Sequence, residues 1–202
     1  MLSVNGARLL ERINELGTIG KDEEGRRTRL AASDTEKQGR DKVVSWMEDA
    51  DLKVVVDRIG NIFGIWETAE NKDKKPLMIG SHIDTVINAG QYDGCLGVIG
   101  AIEVIRTLKE AGRQSERPIV VCAFTNEEGV RYSPDMMGSL VYAGGLPVDQ
   151  VLKTVGTDGT ILGEELKRIG YAGSVEPGFL QPKAFVELHI EQGPIMDTEG
   201  VK

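Results

Sequence analysis

Five residues of this chain are of types that bind metal ions, and four of them follow apolar segments. His82 and His189, the two histidines of the sequence, each follow an apolar run, and Glu127 and Glu128 follow a third. Asp93 lies between these segments in a glycine-rich stretch. Neutral imidazole and carboxylate groups suit Zn²⁺, Mn²⁺, Co²⁺ or Ni²⁺, and such ions lower the pKa of water and polarise carbonyl groups. The five residues therefore predict a metal site for hydrolysis.

Two spacings indicate how the carboxylates would act around such a metal. Asp84 stands two residues after His82, so on an extended segment both side chains point the same way. Asp84 could then accept the second imidazole N–H and fix the orientation of the ring. Neighbouring side chains diverge on an extended segment, so one of Glu127 and Glu128 could bind the ion while the other acts as a general base.

Each of these signals also has an interpretation without a metal. A histidine at the end of a strand is commonly an ordinary polar residue, and a Glu-Glu pair in a loop is commonly solvated. An Asp-Gly pair such as Asp93-Gly94 commonly forms a turn. None of the motifs is specific when taken alone. Their joint occurrence at the ends of apolar runs is what favours a metal site.

Helical and extended segments alternate along the chain, and this alternation would bring the five residues to one edge of a sheet. The predicted helices cover 9–16, 35–50, 96–111, 148–153 and 160–169, and the predicted strands cover 52–58, 62–66, 77–80, 118–124 and 184–189. Such alternation predicts an α/β three-layer sandwich with a mostly parallel mixed sheet. Ligands of these sheets gather at the carboxyl ends of the strands, where both histidines and both glutamates fall.

Turn and cap residues predict where several of these elements end. Gly60-Asn61 predicts a tight turn between the first two strands. Gly112 is predicted to follow the end of the third helix, and Asp158 is predicted to cap the last one. The final residues, 194–202, are predicted to form a strand that enters a turn.

Length and composition exclude several classes of protein. The 202 residues suit one large domain or one and a half small ones, and a hydrophobic fraction of 40% is enough for a core. The net charge of −8, without a basic block, argues against a nucleic-acid partner. No apolar run reaches the roughly 18 residues of a membrane span. With no secretory signal, and with Cys95 and Cys122 in apolar surroundings, the chain is predicted to be cytoplasmic with reduced thiols.

Four motifs of the chain closely resemble the hydantoinase/carbamoylase branch of the M20 metallopeptidase-like family. They cover 80–86, 92–98, 124–129 and 187–194, and the resemblance extends in order from the first helix to residue 197. This branch contains N-carbamoyl-L-amino acid hydrolases, allantoate amidohydrolases and β-ureidopropionases. The segment around His189 is the most specific, because peptidase and aminoacylase branches usually carry a carboxylate at that position. The resemblance implies a zinc-peptidase-like catalytic domain.

The resemblance also implies a role for each metal-binding residue. His82 and His189 would bind one ion. Asp93 would bridge that ion to a second one, which Glu128 would also bind. The full-length family uses two divalent ions, and Zn²⁺, Mn²⁺, Co²⁺ and Ni²⁺ all suit these ligands.

Catalysis would then depend on three further side chains. The resemblance implies that Glu127 is the general base that activates the bridging water and later protonates the leaving amine. Asp84 would orient His82, and Gln192 would contact the ureido or amide group of the substrate. The substrate would be a small N-carbamoyl-L-amino acid or an allantoate-like ureido compound. A carbamoylase would convert the former into an amino acid, carbon dioxide and ammonia.

The chain departs from this branch in its length, since family members have roughly twice as many residues. In those proteins an inserted lid and dimerisation domain follows the segment around His189, and a return to the catalytic domain supplies a last histidine ligand. Residues 1–202 are therefore predicted to form one catalytic metal-binding domain that lacks these parts, binds one ion and has little activity alone. The unpaired strand at its end predicts a homodimer or swapped self-association.

Two alternatives to the amidohydrolase remain from the sequence. One is a metal-dependent aminoacylase or peptidase with the same fold, which the residue type at His189 disfavours. The other is a non-catalytic fragment that binds at most one metal and serves as an interaction module. A change of Glu127 to glutamine separates the enzymes from the fragment, because only an enzyme would lose rate.

Overall fold

A five-stranded mixed sheet with helices packed against it forms the centre of the computed structural model, which describes residues 2–201. The strands are β1 (Lys53–Val56), β2 (Ile62–Trp66), β3 (Leu77–His82), β4 (Ile119–Phe124) and β5 (Ala184–Val186). The helices are α1 (Gly6–Leu16), α2 (Asp34–Glu48), α3 (Cys95–Glu110), α4 (Met137–Tyr142), α5 (Val148–Val151), α6 (Leu162–Arg168) and α7 (Ile195–Glu199). The strand order across the sheet is β1-β2-β4-β3-β5.

The strand directions confirm an α/β fold with a mixed sheet. β3 pairs in parallel with both β4 and β5, and helix α3 connects β3 to β4. β1 and β2 pair antiparallel, and so do β2 and β4. Parallel pairs therefore make up half of the pairings among the described strands rather than most of them. For the β1–β2 pair the reason is the short connection, which permits only an antiparallel hairpin.

Apolar layers cover both faces of the sheet. Helix α2 packs on β1 and β2, α3 packs on β3 and β4, and α1 packs on α3. Their side chains form the main core together with strand residues such as Ile62 and Val121. On the opposite face Phe63 and Val120 belong to a second apolar cluster, against which Tyr142 packs. The ring of Tyr142 lies 5.2 Å from that of Phe63. The sheet is thus the middle of three layers, as predicted.

Local hydrogen bonds explain where several elements begin and end. The Ser33 hydroxyl accepts the Glu36 N–H at 3.2 Å and caps the start of α2. In the turn between β1 and β2, the Asp57 carboxylate accepts the Asn61 N–H at 2.9 Å. Gly112 follows α3 with a φ of +62°, as predicted. These short-range contacts are of the kind that a sequence pattern can reveal.

The last described segment is a helix, and the predicted strand over 194–202 is wrong. Helix α7 lies there, and Gly200 ends it with a φ of +62°. Pro194 suits the start of a helix, because the first turn does not use its missing N–H. The Glu191 carboxylate accepts the Met196 N–H at 3.0 Å and so caps the first turn of α7. These cap contacts favour a helix despite the short apolar run.

Three further local features differ from the prediction. Asp158 does not cap α6, because its carboxylate accepts hydrogen bonds from the Thr160 hydroxyl and from Arg131. The strand predicted over 184–189 ends at Val186. Helix α4 was not predicted, since Met136 precedes it in a left-handed conformation with no side-chain cap to mark its start.

Two predictions from composition concern the thiols and the membrane. Cys95 and Cys122 are both buried and free, as predicted. Cys95 begins helix α3, and Cys122 lies in the central strand β4. None of the helices within residues 2–201 combines the length and the apolar character that a membrane span requires.

Candidate metal centre

The ends of three neighbouring strands bring the predicted site residues to one edge of the sheet. His82 is the last residue of β3 and lies opposite Phe124 at the end of β4, so Glu127 and Glu128 follow close by. β5 pairs with β3 in a register that, continued three residues beyond Val186, sets His189 opposite His82. The two imidazole rings are stacked, with their centroids 6.3 Å apart.

Asp93 reaches the same edge from the start of α3. The next residue, Gly94, has a φ of +61° and packs directly on the His82 ring. A Cβ atom at Gly94 would lie 2.5 Å from the imidazole of His82, closer than any real contact allows. Only glycine permits this approach together with this backbone conformation. The Asp93 carboxylate is thereby held beside His82.

Both imidazoles present the same nitrogen to the centre. The Nδ1 atom of His82 lies 2.9 Å from the main-chain oxygen of Asp84, and that of His189 lies 2.8 Å from the main-chain oxygen of Ile190. A carbonyl oxygen only accepts hydrogen bonds, so Nδ1 carries the proton in each ring. In neutral imidazoles the Nε2 lone pairs are then free, which is the state that binds metals.

The two free nitrogens converge on one carboxylate oxygen. Oδ1 of Asp93 lies 3.7 Å from Nε2 of His82 and 3.2 Å from Nε2 of His189. Within residues 2–201 this buried oxygen makes no hydrogen bond. Three lone-pair donors from three separate segments therefore meet at one point.

Asp84 holds the segment that carries the two glutamates. One of its carboxylate oxygens accepts the Glu127 N–H at 3.1 Å, and the other accepts the Glu128 N–H at 3.2 Å. The predicted bond between this carboxylate and the His82 ring is not formed, since Oδ1 lies 3.8 Å from Nδ1. The ring is oriented by the main-chain oxygen of Asp84 instead. Asp84 thus links β3 to the loop after β4.

Glu127 and Glu128 both reach this cluster, where a ligand atom of each lies within 4.8 Å of the other and of His82. Oε2 of Glu127 lies 3.3 Å from Nε2 of His82, and its side chain remains partly exposed. Oε1 of Glu128 is buried and makes no hydrogen bond among the described residues. Glu127 therefore faces both His82 and the solvent, and Glu128 contributes a buried oxygen that has no hydrogen-bond partner among the described residues.

The electrostatics of this cluster favour bound positive charge. Burial alone would lower the pKa of His82, but the facing carboxylate of Asp93, followed by those of Asp84, Glu127 and Glu128, outweighs it and raises this pKa to about 9. Burial raises the pKa of Glu128 to about 7 and that of Asp84 to about 6. The His82 imidazole lowers the pKa of Asp93. The carboxylates of Glu128 and Asp84 are thus short of cationic partners.

These residues fit a divalent ion by their geometry and chemistry. The ligand atoms of His82, Asp93 and His189 lie within 4.8 Å of one another, and so do those of His82, Glu127 and Glu128. Buried oxygens without a donor, as in Asp93 and Glu128, are costly unless a cation or water pairs with them. Imidazole and carboxylate ligands suit Zn²⁺, Mn²⁺, Co²⁺ and Ni²⁺.

Gln192 also lies at this cluster, where its side chain contacts the carboxylate of Asp93. Its side-chain amide donates a hydrogen bond to Oδ2 of Asp93. Gln192 has a φ of +55°, so the chain turns sharply at this residue. The structure thus places all the predicted site residues at one edge of the sheet. Their chemical roles are proposals.

The loop after β4 is supported by residues whose role the sequence did not predict. Oδ1 of Asn61 accepts the Thr125 N–H at 2.9 Å, and Nδ2 of Asn126 donates to the Tyr132 oxygen at 2.7 Å. Asn126 has a φ of +53°, a left-handed conformation that asparagine tolerates well. Asn61 gave only a turn signal, because its partner lies 64 residues away.

Comparisons with known proteins show which proteins this chain is similar to. An N-carbamoyl-L-amino-acid amidohydrolase from Rhizobium meliloti is 39% identical over 98% of this chain. A probable allantoate deiminase from Oryza sativa subsp. japonica is 41% identical over 93% of the chain. The chain spans 47% of the length of the first protein and 39% of the length of the second, so each relative is more than twice as long as the part that this chain matches.

A solved structure and a family profile cover the same region. The crystal structure of a hydantoinase/carbamoylase family amidase from Burkholderia ambifaria superimposes with a TM-score of 0.95, at 38% identity, over 99% of this chain and 49% of that one. The profile of peptidase family M20/M25/M40 matches residues 78–202, which include every residue of the candidate centre. The chain therefore belongs to peptidase family M20/M25/M40.

Proposed function

We propose that residues 1–202 form the catalytic metal-binding domain of an amidohydrolase that cleaves a C–N bond in N-carbamoyl-L-amino acids or allantoate-like ureido compounds. One observation carries this proposal: the Nε2 atoms of His82 and His189 converge on Oδ1 of Asp93, with Glu127 beside them. The names of the two relatives, a carbamoyl-amino-acid amidohydrolase and an allantoate deiminase, support the substrate class.

Four side chains would hold the metal. His82, Asp93 and His189 would bind one divalent ion, and this chain is expected to bind that ion alone. Asp93 and the unpaired Glu128 oxygen would share a second ion in a complete two-metal centre. A bound divalent metal polarises the substrate carbonyl and lowers the pKa of water.

Glu127 would transfer the proton during hydrolysis. Its carboxylate lies at the centre, 3.3 Å from His82, and its side chain reaches solvent. In this position it can take a proton from the attacking water as the oxygen adds to the substrate carbon. The same proton can then pass to the leaving nitrogen as the C–N bond breaks. Neither step requires another titratable group.

Asp84 and Gln192 would position the reacting groups. Asp84 accepts the N–H groups of both glutamates and so fixes the backbone from which Glu127 extends. Gln192 has an amide that can donate to and accept from a ureido group. We propose that it exchanges its contact with Asp93 for a contact with the substrate.

The experiment that tests this proposal combines metal binding with a substrate panel. The 202-residue chain is loaded with Mn²⁺, Zn²⁺, Co²⁺ or Ni²⁺ and assayed with N-carbamoyl-L-amino acids, allantoate and N-acetyl-L-amino acids. Because the chain matches only part of its relatives, the same panel is applied to a chimera in which it replaces the matched part of the Rhizobium meliloti protein. We expect hydrolysis of a ureido substrate by the chimera and little by the chain alone.

Matched variants in the chimera identify the base. Glu127→Gln is expected to lower the rate by about 10²–10⁴-fold, the usual contribution of a general base. Glu164→Gln changes an exposed glutamate of α6 in the same way and should leave the rate unchanged. Cleavage of N-acetyl substrates alone would instead identify an aminoacylase. A chain that binds metal while the chimera cleaves nothing would favour the non-catalytic module.

Self-association is a separate proposal that rests on β5. This strand lies at the edge of the sheet, and Phe185 and Val186 are exposed on it. An exposed apolar edge strand can pair with another chain. We expect a concentration-dependent dimer in sedimentation velocity. A monomer at every concentration tested would contradict it.

A further inference from the structure

Arg29 is buried and has no acidic partner among the described residues. Its side chain is among the largest that are fully buried, with 1% of the residue exposed. Its guanidinium donates to the main-chain oxygens of Ile83 at 2.7 Å, Ile19 at 3.1 Å and Leu16 at 3.3 Å, and to Sγ of Cys95 at 3.2 Å. Within residues 2–201 it forms no ion pair.

The partners of Arg29 lie between the predicted metal ligands. Ile83 stands between His82 and Asp84, and Cys95 follows Asp93 by two residues. One planar guanidinium therefore contacts both the segment that leaves β3 and the first residue of α3.

The backbone of Arg29 strengthens this connection. Its N–H donates to the Thr85 hydroxyl at 2.8 Å, and its carbonyl oxygen accepts the Thr85 N–H at 2.9 Å. Together with the bond to Ile83, three hydrogen bonds hold residues 83–85 against Arg29. The segment that carries His82 and Asp84 is thus fixed from outside the sheet.

Helix α2 leaves room for this side chain. A Cβ atom at Gly39 would lie 2.9 Å from Cδ of Arg29, so a larger residue at this position would push the arginine away. A buried cation loses its hydration, and here only neutral carbonyls and a thiol replace it. Removal of the guanidinium would take away the donor to the Ile83 and Ile19 carbonyls, whereas the Leu16 carbonyl would still accept the Ile19 N–H.

We infer that Arg29 is a positioning residue, which fixes the segment 82–85 relative to the start of α3 and thereby sets the distance between His82 and Asp93. Its forked geometry, with donors on three nitrogens, allows one side chain to hold both segments. This inference rests on the proposed metal centre for its effect on ion binding. Its effect on the backbone of 82–85 does not depend on any metal.

The test compares Arg29→Met and Arg29→Lys with the unchanged 202-residue chain. Co²⁺ affinity is measured by titration of its visible absorption spectrum, and hydrogen exchange of amides 82–95 is measured without metal. Loss of supporting groups around metal ligands typically lowers affinity about 10–100-fold, and we expect a loss in that range for Arg29→Met. Exchange at 83–85 should become faster. Lysine offers a single donor group, so Arg29→Lys should not restore either property.

Arg12→Met is the matched control. Arg12 is also a buried arginine, but it packs on the ring of Trp46 at 5.4 Å, and among the described residues it forms no hydrogen bond with 82–85 or with the start of α3. The Arg12→Met variant should have a lower thermal stability, while its Co²⁺ affinity and its hydrogen exchange at 83–85 stay unchanged. A folded Arg29→Met chain with unchanged affinity and exchange would overturn the inference, and so would full restoration by Arg29→Lys.

Two other outcomes separate this inference from the proposed function. If the unchanged chain binds no Co²⁺, the metal proposal fails, and the exchange measurement alone decides the role of Arg29. If Arg29→Met does not fold, Thr85→Val takes its place, because it removes only the hydroxyl that accepts the Arg29 N–H and preserves the side-chain shape. Unchanged exchange at 83–85 in Thr85→Val and in Arg29→Lys would then overturn the inference.

Discussion

The Nε2 atom of His189 lies 3.2 Å from Oδ1 of Asp93, and neither atom has a proton to share when the imidazole is neutral. The proton of that ring is on Nδ1, which donates to the Ile190 oxygen. Two lone pairs therefore face each other at short range, and a cation between them would replace repulsion with attraction. His82 presents its own Nε2 to the same oxygen. This arrangement leads to the first prediction.

His189→Ala is expected to remove metal binding without unfolding the chain. The side chain of His189 is 31% exposed, so few packing contacts are lost. His82→Ala should lose the same ion and also lower the free energy of unfolding, because His82 is buried. Elemental analysis after dialysis measures the metal, and urea unfolding measures stability. Full metal content in both variants would show that the ligand assignment is wrong.

Asp84→Asn should weaken the fold and the loop that carries the glutamates. The carboxylate accepts two main-chain N–H groups, whereas an amide has one oxygen and would set its NH₂ against the second N–H. A buried donor without a partner costs about 1–3 kcal/mol, and the free energy of unfolding should fall by that amount. Asp73→Asn, at an exposed position, is the control. Equal stability of the two variants in urea would contradict this account.

Gly94→Ala tests the close packing between α3 and His82. The new Cβ would lie 2.5 Å from the imidazole, so His82 must move and metal affinity should fall. Gly112→Ala is a matched control, because Gly112 has nearly the same positive φ and open space around it. A positive φ in alanine costs about 1–3 kcal/mol in either variant. Only Gly94→Ala should also lose metal, and equal metal affinity in the two variants would refute the packing argument.

The sequence predicted the site residues because their signals are local. Apolar runs identified β3 and β4, and the residues after each run fall at one edge of the sheet by topology alone. His82 and Glu127 could therefore be assigned to a common site without distances. The parallel pairing of β3 with β4 then brings them together. For the placement of these two residues, apolar runs and residue types were sufficient, whereas their chemical roles were implied by the family resemblance and stay predictions.

The supporting residues could not be predicted, because their partners are distant in sequence. Arg29 contacts Ile83 and Cys95 across 54 and 66 residues, and nothing near Arg29 indicates a buried position. The Asp84 carboxylate was predicted to accept a hydrogen bond from the nearby His82. It accepts the main-chain N–H groups of Glu127 and Glu128 instead. Long-range hydrogen bonds of this kind depend on the packed fold and leave no periodic pattern.

Asp57 makes stability depend on pH in a predictable direction. Burial raises the pKa of Asp57 to about 7, well above the usual value for an aspartate of about 4. Between these values the folded chain binds more protons than the unfolded chain, so the free energy of unfolding falls as pH rises from about 4 to about 7. The slope from one group is at most about 1.4 kcal/mol per pH unit.

The comparison with Asp57→Asn isolates this group. The amide oxygen of asparagine can still accept the N–H groups of Ile59 and Asn61, which both bond to Oδ1, but it does not titrate. Other buried carboxylates contribute to the pH dependence of both chains and cancel in the difference. Urea unfolding at pH 4.5, 5.5, 6.5 and 7.5 should therefore give a shallower decline for Asp57→Asn. Parallel curves for the two chains would mean that Asp57 is ionised in the fold across this range, stabilised by its N–H donors and by the nearby charge of Arg40.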